Sequence, residues 1–135
     1  GDNNVFGFTL TNSGTITADD KTVYLETTST INNSGTISAT NAGADKTAIR
    51  IDGDNNTITN TGTISGTDSI HVVSGATGNK IIVDGNNVTF TGEVELNSTA
   101  TTFELSCTLT KDIDIEISLS LSDGELETIN NLLLI

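Results

Sequence analysis

The pentapeptide Asn12-Ser13-Gly14-Thr15-Ile16 returns as Asn33-Ser34-Gly35-Thr36-Ile37 and as Asn60-Thr61-Gly62-Thr63-Ile64. A looser copy is Phe90-Thr91-Gly92-Glu93-Val94. The glycines lie 21, 27 and 30 residues apart. A repeat of this length, with spacing that varies by loop insertion, marks stacked supersecondary units that bury their apolar faces against one another.

Aligned on the glycine, the copies carry Leu10, Ile31, Ile58 and Val88 four residues before it, and Ile16, Ile37, Ile64 and Val94 two residues after it. Polar residues, mostly threonine, flank each one. This period-two alternation predicts short strands with one buried and one wet face, bent at the glycine. A third apolar cluster follows at a variable distance: Val23-Tyr24-Leu25, Ala48-Ile49-Arg50-Ile51, Ile70-His71-Val72-Val73 and Phe103-Glu104-Leu105. Three short strands per unit with one elastic loop describe a coil of a parallel β-solenoid. Four coils spaced by about 4.8 Å make a stub roughly 20 Å long. Coil one is expected to end near Ser29, coil two to span 30–56 and coil three 57–79. Lys80-Ile81-Ile82-Val83 reads as an extra strand leading into the fourth coil.

Asn12, Asn33 and Asn60, two residues before the glycine, are placed to stack at one corner, where side-chain amides hydrogen-bond along the axis. Phe90 occupies the equivalent place in the fourth copy and should end that ladder.

Ile-Asn-Asn-Ser-Gly-Thr-Ile-Ser at 31–38, and the run from Ala48 through Asp-Gly-Asp-Asn-Asn to Thr-Gly-Thr-Ile-Ser-Gly at 61–66, resemble the β-helical passenger regions of bacterial autotransporters. The resemblance covers about 5–96. It implies export, an extracellular or cell-surface location, and roles in adhesion or fibre formation.

The fold expected is therefore all-β: a parallel β-solenoid over 1–105, followed by a strand-rich capping or subunit-coupling segment over 106–135. In that segment Leu105, Cys107, Leu109, Ile113, Ile115, Ile117, Leu119 and Leu121 all fall at odd positions, a strand pattern broken at Lys111. Cys107, the single cysteine, excludes an internal disulfide and reads as a small core residue.

Charge narrows the partners. A net charge of −13, with only five Lys and Arg, opposes binding to nucleic acid or to an anionic membrane surface. No apolar run approaches the length of a transmembrane helix. With Gly at position 1 and no signal-like segment, the chain reads as a processed product or an excised piece. Half of the 18 acidic residues lie from Glu93 onward, as a solvated face or as an electrostatic control on self-association.

An Asn-Asn corner precedes an apolar strand at both ends, at 3–8 and at 130–135. A unit that starts and stops in the same phase can stack head to tail, and a contact that does not close makes a filament. The expected homopolymer interface is Val5, Phe6 and Phe8 against Leu132, Leu133, Leu134 and Ile135. A cut through a longer solenoid would leave the same boundaries.

Chemistry-bearing residues are sparse. His71, the only histidine, reads as an outward surface residue, and no motif supplies a zinc partner or a nucleophilic triad. No enzyme is expected. Asp54 and Asp84 share an offset from Gly62 and Gly92, which makes Asp52, Asp54 and Asp84 a calcium candidate; as exposed turn residues they need no ion. The outward pairs Thr15/Thr17, Thr36/Ser38, Thr63/Ser65 and Glu93/Glu95 form ranks like those of ice-binding faces, yet threonine is also an ordinary exposed strand residue. The function expected is an extracellular structural subunit. The alternatives are an adhesin fragment binding a host-surface or glycan ligand and, third, an ice-binding face.

Overall fold

A computed structural model describes residues 7–40, 46–106 and 118–121. The described residues are all-β, with no helix. The first coil holds β1 (Thr9–Asn12), β2 (Thr15–Ala18) and β3 (Val23–Leu25). The second holds β4 (Thr30–Asn33), β5 (Thr36–Ala39) and β6 (Thr47–Ile51). In the third, β7 (Thr57–Asn60) is followed by one long strand, β8 (Thr63–Val72), that spans both remaining sides. The fourth repeats this with β9 (Lys80–Asp84) and β10 (Thr89–Leu96), and β11 (Thr102–Ser106) and β12 (Ser118–Leu121) add strands of a fifth.

Every pairing is parallel and joins one coil to the next. One sheet runs β1-β4-β7-β9-β11; the other runs β2-β5-β8-β10-β12, with β3 and β6 continuing beside β8. The molecule is a β-solenoid of about four turns, and coils two and three begin at Thr30 and Thr57 as expected.

The core is a set of axial files, because in-register parallel strands stack like on like. Leu10, Ile31, Ile58, Ile81 and Phe103 form one file; Ile16, Ile37, Ile64 and Phe90 another; Val23, Ile49, Ile70 and Val94 a third. Ile31, Ile37, Ile49, Ile58, Ile64, Ile70 and Ile81 are fully buried. Each such side chain contributes about 2–3 kcal/mol relative to an exposed one.

The predicted amide ladder is present. Asn12 Nδ2 donates to Asn33 Oδ1 and Asn33 Nδ2 to Asn60 Oδ1, both at 2.8 Å. The same amides reach the carbonyls of Thr36 and Thr63 at 3.1 Å, which satisfies the corner. At a second corner, Ser29 N donates to Asn56 Oδ1 and Asn56 N to Asn79 Oδ1, both at 2.9 Å. The repeat alignment did not reveal this second column.

Four expectations about the fourth coil are corrected. Ile58 pairs with Ile81 rather than Val88, so Lys80-Ile81-Ile82-Val83 is that coil's own first strand, not an extra one. Ile64 pairs with Phe90, and Val94 with Ile70, so Gly92 does not stack on Gly62. A Cβ on Gly92 would instead lie 2.0 Å from the carbonyl oxygen of Gly66. Coil three has two tight glycine corners, Thr61-Gly62 and Ser65-Gly66; the Thr-Gly match points to the first, and Gly92 follows the second. The third-side residues of coil four are accordingly Val94-Glu95-Leu96, while Phe103-Glu104-Leu105 opens the fifth coil. The residue that ends the amide ladder beside Asn60 is Val83, and Phe90 belongs to the apolar core.

Candidate functional site

Regular alternation puts residues three apart on opposite faces of a strand. On β8 this rule is broken. Its register against β10 shifts between Thr91 and Glu93 and again between Glu93 and Val94, so Asp68 faces Glu93 while Ile70 already faces Val94. The consecutive residues Ser69 and Ile70 are both buried. A bulge of this kind re-aims side chains, and here it turns Asp68 and His71 onto the same outer face.

Glu95 on β10 is the register partner of His71 and completes the group. Its Oε2 lies 2.5 Å from His71 Nδ1, and Asp68 Oδ2 lies 3.7 Å from the same nitrogen. All three side chains are partly shielded, at 15–27% exposure. Glu95 Oε1 is held by Asn97 Nδ2 at 2.8 Å, and Thr47 Oγ1 donates to Asp68 Oδ2 at 3.3 Å. Both carboxylates are thus positioned by neighbours. One ligand atom from each of the three residues lies within 4.8 Å of the others, and no other such group occurs among the described residues. The sequence does not show this group, because the bulge leaves no residue pattern and because the Gly92 repeat places Glu95 on a different side of the coil.

The calcium candidates do not form a group. Asp52 accepts from the Tyr24 hydroxyl at 2.5 Å and pairs with Arg50 Nε at 2.7 Å. Hydrogen bonding to this carboxylate, and secondarily desolvation, raises the Tyr24 phenol above its ordinary value of 10.0. Asp54 accepts from Thr77 N at 2.6 Å and Thr77 Oγ1 at 3.0 Å. Asp84 ends β9, on a different corner, opposite Ser106.

Of the expected assembly residues, Phe8 is exposed at 42% beside the first coil; Val5, Phe6, Leu132, Leu133, Leu134 and Ile135 lie outside the described residues. The described edge of the first coil consists of β1, β2 and β3, each with a single hydrogen-bonded neighbour there. Leu10 and Ile16 are only half-buried, unlike their counterparts one coil on.

The threonine ranks are longer than the sequence suggested. Thr15, Thr36, Thr63 and Thr89 are in register, as are Thr17, Ser38, Ser65 and Thr91. The fourth rank is therefore Thr89/Thr91, and the acidic pair Glu93/Glu95 belongs to the next side of the coil.

No family model, no curated protein and no solved structure matches this chain.

Proposed function

We propose that the chain is an extracellular structural protein of the autotransporter-passenger type, whose coils stack head to tail into a surface fibre or matrix. The observation that carries this reading is the first coil's edge. Among the described residues it presents three parallel strands with no neighbour on their outer side, the half-buried Leu10 and Ile16, and the end of an amide ladder at Asn12. A further coil of the same chemistry satisfies all three features together, and a second copy supplies one. The Asn-Asn pairs that precede apolar runs at 3–8 and 130–135 of the sequence support a copy as the occupant.

The glycine corner gives a test that separates assembly from folding. A Cβ on Gly35 would lie 2.0 Å from Gly14 O, and one on Gly62 2.2 Å from Gly35 O, so these Cβ directions point at the preceding coil. A Cβ on Gly14 meets nothing within 4 Å and occupies the space where a preceding coil would sit. Electron microscopy across a concentration series should show filaments for the native protein. Gly14→Ala should remain folded and stay unassembled. Monodisperse native protein at every concentration, or filaments of Gly14→Ala equal to the native ones, would overturn the proposal.

The register of the hydroxyl ranks favours a second reading, ice binding. Eight outward hydroxyls recur at about 4.8 Å along the axis and about 6.8 Å along each strand, a regular grid better matched to a lattice than to a single sugar. Inhibition of ice recrystallisation, abolished by Thr36→Lys on the central rank, is the expected result. Absence of inhibition by the native protein removes this reading.

A further inference from the structure

We infer that Asp68, His71 and Glu95 form a binding site for a divalent transition-metal ion of the zinc class, clamping the third coil to the fourth. Charge balance points to it first. Two carboxylates converge on one imidazole, so a protonated His71 would offset only one of them. The neighbouring cations are engaged elsewhere: Arg50, in register with His71, pairs with Asp52, and Lys46 lies 3.9 Å from Asp20. A dication neutralises both carboxylates with the imidazole uncharged.

Ligand chemistry points the same way. One imidazole nitrogen with two carboxylate oxygens suits zinc and its neighbours, whereas calcium takes six or more oxygens. The 3.7 Å separation of Nδ1 and Asp68 Oδ2 can be bridged by two bonds of about 2.0–2.2 Å. The 2.5 Å contact between Nδ1 and Glu95 Oε2 must open when an ion enters. In that step the Nδ1 hydrogen bond to Glu95 is lost and the metal–nitrogen bond forms at Nδ1: an imidazolium gives its Nδ1 proton to solvent, whereas a neutral imidazole keeps its one proton, on Nε2. Asn97 on Glu95 Oε1 and Thr47 on Asp68 hold the two carboxylates as supporting partners do in metal sites. The remaining positions are open to water.

His71 is the only histidine, so its imidazole resonances report on the site alone. The experiment is a Zn²⁺ titration followed by those resonances and by thermal unfolding, in a Cys107→Ser background so that no thiol competes. The expected result is saturable, one-to-one perturbation of the His71 signals and a rise in Tm of several degrees that a chelator reverses. Glu95→Gln and Asp68→Asn should each weaken binding by at least about tenfold. His71→Gln, which keeps a polar outward side chain, should abolish the Tm rise while leaving the metal-free Tm within a few degrees. Unperturbed His71 signals at millimolar Zn²⁺, an undiminished response in Glu95→Gln, or a stronger response to Ca²⁺ that survives His71→Gln would each overturn the assignment.

Discussion

Asn33 Nδ2 donates to Asn60 Oδ1 across 2.8 Å in a corner closed to water, while Asn33 Oδ1 accepts from Asn12. The middle amide is therefore both donor and acceptor along the axis, and its neighbours depend on it.

Replacing Asn33 by Ala leaves the Asn12 donor and the Asn60 and Thr63 acceptors short of a partner. Stability should fall by about 2–3 kcal/mol, since each buried polar group left unpaired costs about 1–3 kcal/mol less any relaxation. Asn12→Ala, at the end of the ladder, should cost about 1 kcal/mol. Urea denaturation checks the contrast; equal losses would mean that the ladder does not act as a chain of bonds.

Much of this fold was legible because a solenoid writes its register into the sequence. The apolar files at Ile31, Ile37 and Ile49 and the ladder at Asn12, Asn33 and Asn60 follow from period-two alternation around a repeated glycine. The fourth coil is misaligned by sequence because Thr91-Gly92 repeats Thr61-Gly62 yet stacks on Ser65-Gly66, a choice made by backbone hydrogen bonding. The same gap hid the cluster around His71. Strict alternation separates Asp68 from His71, and a bulge leaves no residue pattern of its own when the inserted position is filled by Ser69. The column through Asn56 and Asn79 was missed for another reason: it sits at the corner where coils join, outside the glycine motif.

Ala at Gly62 places a Cβ 2.2 Å from Gly35 O and 2.7 Å from Ser34 C, both backbone atoms that cannot turn aside. Gly62→Ala should destabilise by about 2–3 kcal/mol. Gly14→Ala should change stability by less than about 1 kcal/mol, because its Cβ meets nothing and the unfolded chain loses some freedom. Paired denaturation curves decide the matter.

Core files predict a gradient along the axis. Ile37 is fully buried between Ile16 and Ile64, so Ile37→Ala should cost about 3–4 kcal/mol. Ile16→Ala, half-buried in the first coil, should cost about 1 kcal/mol in the unassembled protein. Were the two losses equal, the end coil would have to be covered in solution.

Tyr24 is the sole tyrosine, and the chain has no tryptophan, so phenolate absorbance follows one group. Its midpoint should lie above 10.0 and move back toward that value in Asp52→Asn. A raised folded value means that the fold favours the neutral phenol. The associated stability is present below pH 10.0 and is lost as pH rises through the folded midpoint. Alkaline unfolding should begin earlier in the variant; an unshifted absorbance midpoint in the native protein would show that the Tyr24–Asp52 bond is not formed.

Each coil of this molecule takes its hydrogen-bond template from the coil immediately before it: Thr30 docks on Thr9, Thr57 on Thr30, Lys80 on Thr57 and Thr102 on Lys80. Among the described residues, no strand pairing skips a coil. A polypeptide threaded end first through a narrow opening can therefore fold in the order in which it emerges, and every newly closed coil resists the chain's sliding back.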